Sequence, residues 1–241
     1  DLDGGRIGLG EYGSERFVMC RYADPMTALY VLGAHYAEGQ KSGHSWSFAN
    51  VFLPYVREIV DGLESFGIER DRLRVEVRRP YSLSDEDATR RVVEALAIPF
   101  AAREPERETF TPGVARVAHA IYGPDSHGQL SATAVLSHGL AWQRLANEAC
   151  AWLLAHHDEL SPDRCAAFVR GYLMGDGTVR TPVGARPAIG LCGPAAEVQA
   201  LAPMVERAFG WTDVEWHSEP HNGPDIVWRA KLEPMQILPV L

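Results

Sequence analysis

Apolar positions recur along this chain with a period that changes from one segment to the next. From Pro54 to Phe66, Val56, Ile59, Val60 and Leu63 share one helical face, and Gly67 stands where a left-handed residue closes a helix. From Arg70 to Arg79 the period shortens to two. Leu73, Val75 and Val77 alternate with Arg70, Arg72, Arg74, Glu76 and Arg78, as in a half-buried strand. Trp46 and Phe48 alternate with Ser45 and Ser47 in the same way, so Gln40 to Asn50 predicts two short strands. Ser84 is placed to cap a helix running to about Ala97.

The second half repeats this order. Ser161 and Pro162 suit the N-cap and first position of a helix, with Ala166, Val169, Leu173 and Met174 as its apolar stripe and Gly175-Asp176-Gly177 as its end. Thr178 to Arg186 and Ala188 to Cys192 predict two strands with Ile189 and Leu191 inward. Pro194 to Phe209 predicts a helix closed by Gly210, and Asp213 to Ser218 with Asp225 to Lys231 a hairpin. Only this half shows a clear partner for its outer strand. Between the halves, Ile98 to Thr111 reads as a linker, Pro112 to Tyr122 as a short helix, and Pro124 to Gln129 as a turn. Ser137 to His157 reads as a long helix with Leu140, Leu145, Ala149, Trp152 and Leu153 as its stripe. A strand is expected around Arg16 to Arg21 and the start of a last helix over Glu233 to Leu241. The expected organisation is a lead segment 1–24, a first repeat 25–97, a partly helical insertion 98–160 and a second repeat 161–241.

Asp176 closes a helix at the end where the macrodipole is negative, an unfavourable place for a carboxylate unless a cation answers it. An Asp-Gly pair also ends helices as a simple turn, but a second copy argues for more. Asp24 and Pro25 open an equivalent helix. Val31-Leu32-Gly33-Ala34-His35-Tyr36-Ala37-Glu38-Gly39 matches Val169-Arg170-Gly171-Tyr172-Leu173-Met174-Gly175-Asp176-Gly177, with glycine third, a small residue seventh, acid eighth and glycine ninth.

This pair resembles the two signature motifs of the LAGLIDADG homing endonucleases, most closely those carried within inteins. The resemblance covers Pro25 to Gly67 and Pro162 to Lys231 and is absent over Ile98 to Leu160; Tyr36 and Met174 depart from it at the sixth motif position, often an acid in the family. It implies an α+β fold: a pseudo-twofold pair of αββαββ repeats, helices packed together through small residues, and two antiparallel sheets forming a saddle on the major groove. It also implies that Glu38 and Asp176 each deliver a carboxylate to a metal-bound, DNA-cleaving site holding two or three Mg2+ ions. Lys231 is the implied basic catalytic residue, with Arg229 second and Arg78 or Arg79 as its counterpart in the first half. Such a chain acts as a monomer on double-stranded DNA with a long, asymmetric target, and was once fused to an intein splicing domain.

Charge bears on this expectation. The net charge is −9 with an isoelectric point near 5.5, against the basic footprint usual in nucleic-acid binding. The distribution of cations therefore matters more than their sum. Arg70, Arg72, Arg74 and Arg78 fall on one strand face, and Lys41, Arg180, Arg186 and Arg229 lie where the repeats place DNA contacts. Cys20, Cys150, Cys165 and Cys192 lack metal spacing and read as reduced structural thiols. His119, His127, His138, His156 and His157 lack paired ligands at metal spacing. No apolar run approaches the roughly 20 residues of a membrane span, and no signal-peptide pattern opens the chain, so a cytoplasmic, nucleoid-associated prokaryotic protein is expected. The opening Asp1 suggests a start upstream or excision from a larger protein. His221-Asn222 resembles an intein splice junction, but Gly223 follows where a nucleophile belongs, so splicing is not expected. Two further readings stand beside the nuclease: a catalytically degenerate DNA binder or regulator of the same fold, and an acidic α/β metabolic enzyme.

Overall fold

A computed structural model describes residues 6–9, 17–20, 24–43, 45–68, 70–97, 115–117, 128–136, 139–180, 188–211, 214–220 and 225–231. Among these, ten strands and six α-helices follow one another as β1 (Arg6–Leu9), β2 (Phe17–Cys20), α1 (Pro25–Glu38), β3 (Trp46–Asn50), α2 (Leu53–Ser65), β4 (Leu73–Arg78), α3 (Asp85–Leu96), β5 (Ala115–Val117), β6 (Ser131–Leu136), α4 (Leu140–Ala155), α5 (Pro162–Asp176), β7 (Gly177–Arg180), β8 (Ala188–Pro194), α6 (Ala195–Phe209), β9 (Trp216–Pro220) and β10 (Asp225–Lys231). The class is α+β, as expected: among the described residues two four-stranded sheets, antiparallel except for one parallel pair, stand beside a two-stranded antiparallel ladder of β1 and β2. None of the described helices is long and apolar enough to cross a membrane.

By contacts the chain divides into two compact units, Asp1–Asp24 with Glu38–Leu145, and Pro25–Ala37 with Ala146–Leu241. In the first, the sheet order is β3-β6-β4-β5. Trp46, Phe48, Leu73, Val75 and Val77 line its inner face and α2 covers them with Val56, Ile59, Val60 and Leu63, all buried as their periods require. The strand missing from the first half is β6. It pairs antiparallel with both β3 and β4, so it is central. The helix expected over 112–122 is replaced, in its described part, by β5, which runs parallel to β4. The two strands expected from Gln40 to Asn50 reduce to β3 and a single bridge, Gly39 to Phe48.

In the second unit, β7-β8-β10-β9 is antiparallel throughout, and Ile189, Leu191, Val198, Leu201 and Val205 bury against Phe168, Val169 and Tyr172 of α5. Ser161 caps α5 as expected, its hydroxyl accepting from the Arg164 amide. Two stripes are rotated from expectation. On α5 the buried residues are Cys165, Ala167, Phe168, Val169, Gly171 and Tyr172, leaving Met174 exposed. On α4, Trp142, Ala146, Cys150 and Leu153 face inward, leaving Leu145 and Trp152 exposed. Both helices pack on more than one element, so a single-stripe reading chose the wrong edge. Cys150, Cys165 and Cys192 are unbridged.

Candidate functional site

The repeated motif makes a contact that repeats itself. A Cβ on Gly33 would overlap the carbonyl oxygen of Phe168, whose carbonyl carbon would stand 2.8 Å away. A Cβ on Gly171 would overlap the Tyr30 carbonyl oxygen and stand 2.8 Å from the Ala34 amide nitrogen. Tyr30 and Phe168 each precede their own motif glycine by three residues, so one contact is the other with the helices exchanged. The backbones of α1 and α5 touch at a crossing of twofold character that only glycine permits on either side. His35 is buried beside it, its Nε2 2.8 Å from Asn147 Oδ1, and Tyr36 packs its ring on Phe168 and Tyr172.

Five residues beyond each glycine stands the acid. Glu38 ends α1 half-buried, and its Oε1 accepts from Asn50 Nδ2 at 3.0 Å. Burial pushes its carboxyl above the usual carboxylate range, and the Asn50 bond opposes that shift. Asn50 is itself oriented, because its Oδ1 accepts from the Phe52 amide at 2.8 Å and only the amide nitrogen remains to face the carboxylate. Sequence reasoning missed Asn50; its signal was an asparagine between a strand and a Pro-led helix, a place where a side-chain oxygen caps a backbone amide. Asp176 ends α5, and the chain passes directly into β7 at Gly177, where a Cβ would lie 2.6 Å from the Leu173 carbonyl oxygen. Burial raises the Tyr172 hydroxyl pKa, with the Asp176 charge adding to it, and that hydroxyl donates to the Cys192 carbonyl at 2.6 Å. No group of three or more His, Cys, Asp or Glu side chains gathers among the described residues. Glu38 and Asp176 each present hard carboxylate oxygens, the donor type that divalent cations take. A carboxyl disfavoured by burial, as at Glu38, is one whose ionised form such a cation stabilises.

The expected basic face is only partly built. Arg70 and Arg72 precede the strand in a 3-10 turn, because β4 starts at Leu73. Arg70 turns back to Asp61 and to Glu64, with Nε 2.7 Å from Glu64 Oε1, and donates to the Leu96 carbonyl at 3.0 Å; it holds α2 and α3 together. Arg74 and Glu76 lie on the outer face of β4 and pair with each other. Arg79 pairs with Asp85 at the head of α3. Arg78 is exposed and has no ion pair among the described residues. In the second sheet, Arg229 lies opposite Gly190 on one side and His217 on the other, with Nε 2.7 Å from Glu219 Oε2. Arg180 and Lys231 both register with Ala188, which puts them in one row across β7, β8 and β10. Lys41 lies in the loop after α1. Arg186, His119, His127, His138, His221, Asn222 and the helix expected over 233–241 lie outside the described residues.

No family model matches the chain, and no curated relative does. Solved structures are similar to it. Full-length DUF199/WhiA from Thermatoga maritima is 10% identical with a TM-score of 0.43, over 90% of this chain and 55% of that one, so the chain spans about half of that relative's length. Mesophilic variants of the homing endonuclease I-DmoI are 10% identical with a TM-score of 0.38, over 90% and 93% of the two chains. A variant of I-DmoI in complex with its target DNA in the presence of Mn is 10% identical with a TM-score of 0.42, over 89% and 92%.

Proposed function

We propose that this chain is a site-specific DNA endonuclease of the LAGLIDADG type, a cytoplasmic protein that makes a staggered double-strand cut with Mg2+. The observation that carries the reading is the reciprocal glycine contact between α1 and α5, with an acid five residues beyond each glycine. A duplicated motif that conserves only shape would need the glycines; retaining a carboxylate at both helix C-termini, against the dipole, calls for a cation as well.

Bound there, Mg2+ would supply charge neutralisation at the scissile phosphate and lower the pKa of an attacking water. The chain's own residues do the rest. Glu38 and Asp176 would hold the ions, Asn50 turns the Glu38 carboxylate and favours its ionised form, and Lys231 or Arg229 would stabilise developing negative charge. Arg78, Arg180 and Lys41 contact phosphates, while Arg74 reads base edges when its pairing with Glu76 opens.

Selection of cleaved sequences from a random duplex library with Mg2+ tests this directly. Glu38→Gln or Asp176→Asn is expected to abolish double-strand cleavage and leave retention of the selected duplex on a gel intact; full cleavage by either variant would sink the proposal. A second reading has its own observation. Arg70, Arg74, Arg79 and Arg229 all lie in internal ion pairs on a chain of net charge −9, as suits a catalytically silent DNA-binding or regulatory protein of this fold. Salt-sensitive binding to duplex DNA with no metal-dependent nicking would select that reading.

A further inference from the structure

Between Glu38 and β3, Gln40 to Gly43 and Ser45 form a short loop that carries Lys41. Three of its carbonyl oxygens, from Gln40, Ser42 and Ser45, converge on one atom. That atom is Nε2 of Gln143, at 2.8, 3.3 and 3.1 Å. Gln143 is 2% exposed and lies in the first turn of α4, in the segment that resembles neither repeat.

Its position is fixed. A Cβ on Gly139, whose carbonyl accepts from the Gln143 backbone N–H at 2.8 Å, would stand 2.9 Å from the Trp46 amide nitrogen and from the Leu136 carbonyl oxygen. The head of α4 is therefore seated on the start of β3 and the end of β6. The loop has its own ties to β3: the Gln40 amide donates to the Ser47 carbonyl at 2.8 Å, and Ser47 Oγ donates to Gln40 Oε1 at 2.8 Å. The three carbonyls meet a part-buried side-chain amide nitrogen whose two N–H are shared among them, so the one side chain of Gln143 ties the loop at three points. Replacing that side chain leaves acceptors unsatisfied, a cost the loop relieves by moving.

We propose that Gln143 is a positioning residue for the Glu38 half of the site: its amide sets the loop that leaves Glu38 and carries Lys41, and so sets how that half meets one DNA strand. This role rests on the nuclease reading, and it belongs to one half alone, because α5 passes into β7 with no loop between Asp176 and Gly177.

The experiment uses the full chain, a duplex carrying the site recovered by cleavage selection and labelled on each strand in turn, and two variants. Gln143→Met keeps the length and removes both donors; Gln143→Lys offers three donors to the same carbonyls. In Gln143→Met, cleavage of one strand is expected to fall at least about tenfold further than the other, so nicked product accumulates. Its KM for the duplex should rise by a smaller factor than kcat for that strand falls. Amide exchange over Gln40 to Ser47 should quicken, and Gln143→Lys should recover part of both effects. Equal loss on the two strands, or a Gln143→Lys variant no better than Gln143→Met, overturns this role while the nuclease reading stands. A wild-type chain that cuts no duplex with Mg2+ overturns the nuclease reading and this role with it.

Discussion

The two signature helices share one contact and end in two different ways. At the crossing, α1 and α5 are interchangeable: each glycine meets a backbone carbonyl three residues before the other. Beyond it they diverge. Glu38 is half-buried, held by Asn50 and followed by a loop pinned to α4. Asp176 runs straight into β7 with Tyr172 as its neighbour. The repeat has kept the close packing, where any side chain is excluded, and let the surroundings of each acid change. Steric exclusion acts at a single atom, so it constrains both copies equally, whereas a carboxylate can be supported by many arrangements.

The largest effect tests the shared part. Gly33→Ala and Gly171→Ala each force a Cβ into a carbonyl oxygen that belongs to rigid helix backbone. Overpacking at such a place is expected to cost about 3 kcal/mol in each variant. Urea unfolding checks the value, and a difference between the two much beyond about 1 kcal/mol would break the symmetry claimed for the crossing.

A smaller effect separates the arginines. Arg70 spans Asp61, Glu64 and the Leu96 carbonyl, so Arg70→Met is expected to cost about 1 kcal/mol of stability and leave the salt dependence of DNA binding unchanged. Arg78→Ala should do the reverse: stability unchanged, and the slope of log affinity against log salt reduced by about one. Binding measured across a salt series, beside thermal melts, decides both.

That contrast also marks how far the sequence could be read. Period and capping fixed α5 from Ser161, the buried face of α2 and the hairpin of β9 and β10, because each is set by residues local to it. Alternation put Leu73, Val75 and Val77 inward but carried the strand back through Arg70, since a period of two does not register where pairing begins. β6 was missed for a related reason. Its six residues, Ser131 to Leu136, are all buried, so the central strand shows no alternation, and its small side chains carry little strand signature. The acids were legible from repetition; Asn50 and Gln143 were not, because hydrogen bonds to Glu38 and to the loop join positions that no period links.

The smallest effect isolates the divergent part. Burial raises the folded-state pKa of Glu38 above its unfolded value of about 4.3. Between those two values the folded chain binds more protons than the unfolded one, so stability falls as pH rises through that window. Above it the penalty for ionising Glu38 is fully present; below the unfolded value it is absent. Glu38→Gln removes the penalty, so the variant is expected to melt higher than wild type at neutral pH, with the difference closing as pH falls to about 4. Asn50→Ala removes the bond that favours the ionised form and should widen the window upward. At neutral pH, Mg2+ should raise the melting temperature of wild type more than that of Glu38→Gln, which keeps only the Asp176 carboxylate, by linkage of binding to folding. A Glu38→Gln protein that melts lower than wild type at pH 7 would show the carboxylate to be a net stabiliser of the fold, and its burial would then need no cation to explain it.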